Sequence, residues 1–339
     1  MNRAVYRDVR FWLLALAFAL IVAGLFLPRV KLTRDAYDTL AIVDITSSMN
    51  THDLTLAGKP ASRLDVIKDR LRYFVTNLPC QSKFGFGIFT TRRVFILFEP
   101  IETCANFASI DAAISGLNWR MAWEGDSHVT TGVHDAIATA EGLGAGLLFF
   151  TDGQESPPLH WSGMPAFSGE PGKVKGLLVG VGGKTLSPMT KYDDEGREVG
   201  TLEPDDVPQE NRSGRPPPDA EQRPGYHPKW APYGNARVDG TEHLSSVKED
   251  HLRAIAAQTG LTYLYLDGGA PLLKAFETVA EPRAVVVATD IRPYPAALAL
   301  TLLLILYGVL PLRDWLRQSK AHRIARSGQA TVKLKEVSS

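Results

Sequence analysis

Two uninterrupted apolar runs near the ends of the chain constrain its folding more than any other feature. Phe11 to Pro28 reads FWLLALAFALIVAGLFLP and Tyr294 to Leu312 reads YPAALALTLLLILYGVLPL, and neither contains a charged residue. At about 1.5 Å per helical residue, each is long enough to cross a hydrocarbon core of roughly 30 Å. For the first run a cleaved signal peptide is the competing reading. Its small-residue pairs, such as Ala17 and Ala19, lie inside the apolar stretch and would leave too short an apolar region, which favours an uncleaved anchor. The second run has no solvent face, and Arg313, Arg317, Lys320, Arg323 and Arg326 follow it at once, so a span is expected there rather than a buried core helix.

Charge is distributed to match. The chain has 37 Lys plus Arg against 37 Asp plus Glu, but the balance is uneven along its 339 residues. Residues 1–28 carry Arg3, Arg7 and Arg10 against Asp8, and the stretch after Tyr294 is more basic still, which leaves the middle acidic. An acidic middle disfavours nucleic acid as a partner. The positive-inside rule places both basic ends in the cytoplasm and residues 29 to about 293 across the membrane. Arg29, Lys31 and Arg34, at the outer end of the first span, count against this arrangement. The expected plan is a cytoplasmic N-terminus (1–10), a span (11–28), an exported domain (35–285), a second span (294–312) and a basic cytoplasmic tail (313–339). The tail suits anionic lipid, and serves equally as a topology signal alone.

Within the middle, TLAIVD (Thr39 to Asp44) is a short apolar run closed by a carboxylate, as in a buried parallel strand with a polar group at its C-terminal end. Ser62 can cap a helix carrying Leu64, Ile67, Leu71, Phe74, Val75 and Leu78 at helical spacing. Phe84 to Thr90 and Val94 to Phe98 read as a hairpin. Helical patterns follow at Asn106 to Gly116 and Thr131 to Glu141, then strands at Gly146 to Thr151 and Val174 to Val181. His243 to Thr259 and Thr262 to Leu266 add a last helix and strand. The alternation predicts an α/β fold, a doubly wound, mostly parallel sheet of Rossmann-like type with two flanking transmembrane helices. Gly182 to Gly240 turns to Pro, Gly, Asp, Glu and Arg without apolar periodicity and reads as a long surface insert.

Oxygen donors collect at the strand ends. DITSSM places Asp44, Thr46 and Ser48 in one loop at the carboxyl edge of the sheet, where open α/β folds hold ligands. A carboxylate with two hydroxyls is a hard donor set, suited to Mg²⁺, with Ca²⁺ or Mn²⁺ as alternatives. This segment resembles the first element of the metal-ion-dependent adhesion site of von Willebrand factor A domains, usually Asp-x-Ser-x-Ser, with Thr46 in place of a serine. TTGVHDAIATA resembles the second element with Thr131 at the ligand position and Thr130 as a competing ligand. LLFFTDG resembles the third, with Asp152 at its end. SRLDVIKDR and the Gly180 to Gly182 segment are also similar to bacterial members, so the resemblance spans roughly residues 39 to 280.

The resemblance implies that Thr46, Ser48 and Thr131 offer hydroxyls, that Asp44 and Asp152 act directly or through water, and that one position stays open for a partner's Asp or Glu. The alternative is a degenerate site in which these residues cap helices and close turns. The two-span layout is similar to the Bat proteins of aerotolerance operons and to accessory proteins of methanol-dehydrogenase gene clusters. The expected function is metal-dependent binding that assists assembly or maturation of a periplasmic partner at the bacterial inner membrane, with calcium insertion into methanol dehydrogenase slightly preferred. Other von Willebrand factor A proteins or a MoxR-type ATPase are further partner classes. A Bat-like stress role, or a structural subunit of a membrane complex, is the alternative. A hydrolase is disfavoured, because no nucleophile elbow is present and Thr46 stands where a phosphoryl-transfer site needs a second Asp.

Trp119 and Trp123 precede the second element and serve equally as anchors for a partner or as packing onto the domain itself. Trp161 is a weaker candidate for the same rim. His128 and His134 fit no zinc pattern. In an oxidising compartment Cys80 and Cys104 can form a disulfide, although two buried thiols satisfy the sequence as well.

Overall fold

The computed structural model describes residues 8–27, 29–121, 126–159, 163–207, 218–224, 240–313 and 315–316. The chain divides into two compact units, one of Asp35–Val285 and one of the segments on either side of it.

The flanking unit holds two helices long and apolar enough to cross a membrane. α1 (Val9–Phe26) begins where the Asp8 carboxylate accepts the Arg10 N–H at 2.9 Å. Its partner at the other end of the chain spans Pro293–Arg313 and becomes a π-helical turn at Ile305–Val309. The two helices pack side by side, with Gly24 facing Pro295. After α1 comes β1 (Val30–Ala36), a strand the sequence reading passed over.

In the central unit the chain runs through β2 (Asp38–Asp44), a small hairpin of β3 (Leu54–Leu56) and β4 (Lys59–Ala61), α2 (Arg63–Asn77), β5 (Lys83–Thr90), β6 (Arg93–Glu102) and α3 (Phe107–Gly116). It continues through α4 (Val129–Leu143), β7 (Gly146–Thr151), β8 (Gly176–Gly180), β9 (Ser187–Pro188), β10 (Thr190–Tyr192), β11 (Glu198–Thr201) and β12 (Leu244–Ser245). Last come α5 (Glu249–Thr259), β13 (Thr262–Tyr265) and α6 (Gly269–Val279), after which β14 (Arg283–Thr289), which pairs with β1, leads into the flanking unit and α7 (Pro293–Leu304), the first part of the second apolar helix.

Six strands form the central sheet in the order β13-β8-β7-β2-β5-β6, parallel except for the antiparallel edge strand β6. Counted among themselves in chain order they run 6-5-4-1-2-3, the doubly wound arrangement expected from the alternation of strand and helix. Each central strand is apolar on both faces, because both are covered. In β2, Ala41 and Val43 join the core beneath α2, α3 and α6, while Leu40 and Ile42 join the core beneath α4 and α5.

Ser62 caps α2 as expected, its hydroxyl oxygen accepting the Asp65 N–H. Gly132 lies where α4 crosses Phe89 so closely that a Cβ would overlap the ring. Cys80 and Cys104 are joined in a disulfide, with Cα atoms 5.4 Å apart, at the end of the β5–β6 pair away from the strand tips. The insert is more structured than its composition predicts. Within its described part, β10 and β11 form a hairpin and β9 pairs with β12.

Candidate functional site

Strand order reverses between β2 and β7, and a crevice opens beyond the carboxyl ends of the two strands on either side of such a reversal. Asp44 ends β2, and Asp152 follows β7. Val43 pairs with Phe150, which sets Asp44 beside Thr151.

Asp44 is fully buried. Its Oδ1 accepts the Thr46 N–H at 2.9 Å and the Thr46 hydroxyl at 2.7 Å, and its Oδ2 accepts the Thr151 hydroxyl at 2.6 Å. Burial, and then the nearby Asp152 carboxylate, push its pKa up to about 7 against the opposing effect of those hydrogen bonds. Ser48 is buried in the short 3₁₀ turn that follows and lines the same cleft as Thr46 and Gln154.

Asp152 is held differently. Its Oδ2 accepts from Arg63 Nη1 at 2.6 Å and from the Ser245 hydroxyl at 2.8 Å, and its Oδ1 accepts the Gln154 N–H at 3.0 Å. Gly153 makes the turn at φ +81°, with Leu252 packed where a side chain would project. Arg63 is itself fully buried and reaches across to Asp53, with Nη2 2.5 Å from Oδ2 and Nε 3.0 Å from Oδ1. One guanidinium is therefore shared between two carboxylates. Arg63, Asp53, Thr151 and Ser245 were missed by the sequence reading. The SRLDVIKDR segment contains Arg63, but nothing local to it says that its side chain points inward.

The two threonines of the second element differ in burial. Thr130 is 1% exposed, and its N–H and hydroxyl both donate to Glu155 Oε1, at 2.9 and 2.7 Å. His251 Nε2 lies 3.0 Å from the same oxygen. Thr131, one residue on, is exposed in the first turn of α4. The structure thus brings Asp44, Thr46, Ser48 and Asp152 together and engages Thr130 with Glu155, while Thr131 stays outside that network.

Trp119 lies 4.4 Å, centroid to centroid, from the Tyr192 ring of the insert hairpin, and Arg120 Nη1 donates to the Glu195 carbonyl at 2.9 Å. The insert so forms one wall beside the Thr46 loop. Trp123 and Trp161 lie outside the described residues. His134 packs on Phe167 and lies 3.2 Å from Gln258 Oε1.

The donor set fits a hard divalent cation. Asp53 and Asp152 both lie against Arg63, whereas Asp44 is met by hydroxyls and a backbone amide alone among the described residues. No group of three or more His, Cys, Asp or Glu side chains comes together as a metal centre among the described residues. A cation at Asp44 would complete its shell with hydroxyls and water, as Mg²⁺ readily does.

No family model matches the sequence, and no curated protein matches it. Among solved structures the chain is similar to an aerotolerance-related membrane protein from Bacteroides fragilis, at 15% identity and a TM-score of 0.44, over 72% of this chain and 98% of that one. It is also similar to BatB from Bacteroides thetaiotaomicron, at 15% identity and a TM-score of 0.43, over 71% and 95%. A third is a von Willebrand factor type A protein from Catenulispora acidiphila, at 12% identity and a TM-score of 0.36, over 80% and 46%. Likeness of this degree says nothing of what the chain binds. The α/β architecture rests on the strand order itself.

Proposed function

We propose that this chain is a membrane-anchored binding module that takes up a divalent cation, most readily Mg²⁺, at the Asp44 loop and uses it to hold a partner protein. The observation that carries the reading is Asp44, a fully buried carboxylate at the strand-order reversal with no cationic side chain against it among the described residues. An isolated buried charge is costly, and a bound cation compensates it. In this reading Asp44, Thr46 and Ser48 hold the ion, and Asp152, whose outer oxygen is taken by Arg63, acts on it through water. When bound, the ion supplies an electrophilic position that a partner's Asp or Glu can occupy. No proton transfer or covalent step is required of the chain, which accords with a binding role rather than an enzymatic one.

In this reading the central unit lies outside the cytoplasm, at the bacterial inner membrane, with both termini inside; the two apolar helices and the basic ends support it through the positive-inside rule. The partner is then a periplasmic protein undergoing assembly or maturation.

The test uses the full chain in lipid nanodiscs. Mg²⁺ at roughly 100 times its dissociation constant should stabilise the domain by about 2.7 kcal/mol, a rise in Tm of several degrees, and Asp44→Ala should abolish the rise. Equal rises in both proteins would overturn the site. Co-purification from membranes with and without EDTA then tests the bridge. Clients recovered only without chelator support it, and identical client sets refute it. A calcium-dependent dehydrogenase among those clients would select the methanol-oxidation role over the Bat-like one.

A further inference from the structure

A cavity of about 320 Å³ opens on the β5–β6 hairpin, and none of its described lining residues belongs to the Asp44 loop. Its floor is a face of the sheet. Ile88 pairs with Phe95 and Thr90 with Arg93, and paired residues two positions apart project to one side of a sheet, so these four side chains share a face. Met121, from the 3₁₀ turn at Trp119–Met121, adds an apolar side chain, and Arg92 lines the same space. Phe95 is 48% and Met121 37% exposed, so apolar surface is left open here.

The charges at this cavity set it apart. Every other described arginine of the central unit meets a carboxylate or carbonyl oxygen, among them Arg63, Arg120, Arg253 and Arg283. The guanidinium groups of Arg92 and Arg93 meet none among the described residues. The turn that carries them is fixed in advance. Thr91 is β-branched yet sits at φ +60°, a strained conformation, and its carbonyl accepts the His128 N–H at 2.7 Å. A turn so held loses little freedom when a ligand arrives. The Val94 N–H is taken by Asp135 Oδ2 at 2.9 Å, and the β5–β6 ladder shifts register between Phe86 and Gly87. Both features oppose extension of the sheet by an added strand, so recognition here rests on side chains.

We infer that this cavity receives a bulky apolar side chain of the partner protein, flanked in the partner's sequence by Asp or Glu residues that pair with Arg92 and Arg93. The apolar group would lie on Ile88, Phe95 and Met121, and each guanidinium would meet a carboxylate, the planar acceptor that its fork of donors matches. The hairpin tip lies at the carboxyl end of β5, and Asp44 lies at the same end of β2, because the two strands are parallel with Asp44 opposite Phe89. A partner whose carboxylate reaches the cation therefore meets the cavity at the same end of the sheet. The chain enters and leaves the unit at the other end, where Asp38 pairs with Lys83 and its carboxylate meets Arg283, which favours a peptide over a bilayer lipid. The inference rests on the reading that this end of the sheet meets a protein, and it adds the chemistry of the partner's contact segment.

The probe is the peptide acetyl-Glu-Phe-Glu amide, titrated calorimetrically into the full chain in phosphatidylcholine nanodiscs without divalent metal. Replacing its Phe with Ala should weaken binding at least about tenfold, the loss of a buried aromatic group. Replacing both Glu with Gln should weaken it several-fold and remove its sensitivity to salt. In the chain, Arg92→Gln combined with Arg93→Gln should reproduce the effect of the Gln peptide at unchanged Tm, because both side chains are exposed and unpaired. Equal affinity for the Phe and Ala peptides, or full affinity in the double variant, would overturn the proposal. In the absence of peptide binding, phosphatidylglycerol vesicles bound by the parent and not by the double variant would assign the cavity to lipid, and a dimer lost in Phe95→Ser would assign it to a second copy. Peptide binding without a Mg²⁺ response removes the cation reading alone, and a Mg²⁺ response without peptide binding removes this one alone.

Discussion

At the scale of single residues, the site is organised by charge that has nowhere to go. Arg63 lies between Asp53 and Asp152 with its side chain fully buried. Removing one member of a buried ion network leaves the others uncompensated, so Arg63→Met should cost roughly 3–5 kcal/mol of unfolding free energy, readable from denaturant midpoints. A loss below about 1 kcal/mol would mean that the carboxylates are hydrated rather than paired. The adjacent threonines differ in the same way. Thr130→Ala removes one of the hydrogen bonds that the buried Glu155 oxygen accepts and should lower metal-free stability by about 1–3 kcal/mol. Thr131→Ala should leave it unchanged. If Thr131 supplies the cation's remaining hydroxyl, its alanine variant loses the Mg²⁺-induced rise in Tm while keeping the metal-free value. Tyr263 carries a pH dependence of its own. Burial, and then Glu249, push its phenol up to about 12, although the Arg253 guanidinium lies 4.4 Å from the ring centroid. The folded state therefore favours the neutral phenol. Its stabilising effect is complete below the ordinary value of 10 and is lost as pH rises from 10 to 12. Urea midpoints for Tyr263→Phe should fall less between pH 9 and pH 11.5 than those of the parent, and parallel curves would contradict the assignment.

At the scale of elements, close approaches set how the helices deliver their ends to the crevice. Gly132 lets α4 settle on Phe89, and an added methyl there would overlap the ring. Gly132→Ala should cost about 1–3 kcal/mol, since packed interiors give way to volume only by shifting an element. That shift would move Thr130 and Thr131, so the variant should also weaken the Mg²⁺ response more than its loss of stability explains. The disulfide acts at the other end of the sheet, across a sequence separation of 24. Replacing Cys80 and Cys104 with serine should cost roughly 2–4 kcal/mol and leave the Mg²⁺-induced rise intact. Loss of that rise would link two ends of the sheet that share no contact.

At the scale of the whole molecule, the two apolar helices lie at opposite ends of the sequence, and a single α/β unit fills the interval between them. Exported topology predicts that a cysteine at exposed Thr76, in a background lacking Cys80 and Cys104, reacts with a membrane-impermeant maleimide in intact spheroplasts. Labelling seen only after permeabilisation would place the unit in the cytoplasm.

The sequence by itself determined the elements whose signals are local. Strand and helix periods, the hydroxyls and carboxylates of the strand-end loops and the two apolar runs are all readable within windows of a few residues, because burial on one face or on all faces imposes a period on the side chains. The doubly wound class followed from their alternation alone. What only the tertiary structure decided involves partners far apart in the chain. Arg63 meets Asp152 across 89 positions and Ser245 across 182, and no window contains such a pair. The choice of Thr130 as the inward residue depends on where Phe89 admits the helix. Trp119 is tied to Tyr192 by a hairpin that forms inside a polar, Pro-rich and Gly-rich insert, where composition predicts a loop. A buried carboxylate is identifiable from sequence. Whether it already has its cation depends on the fold, because only the fold decides which charges share the same low-dielectric space.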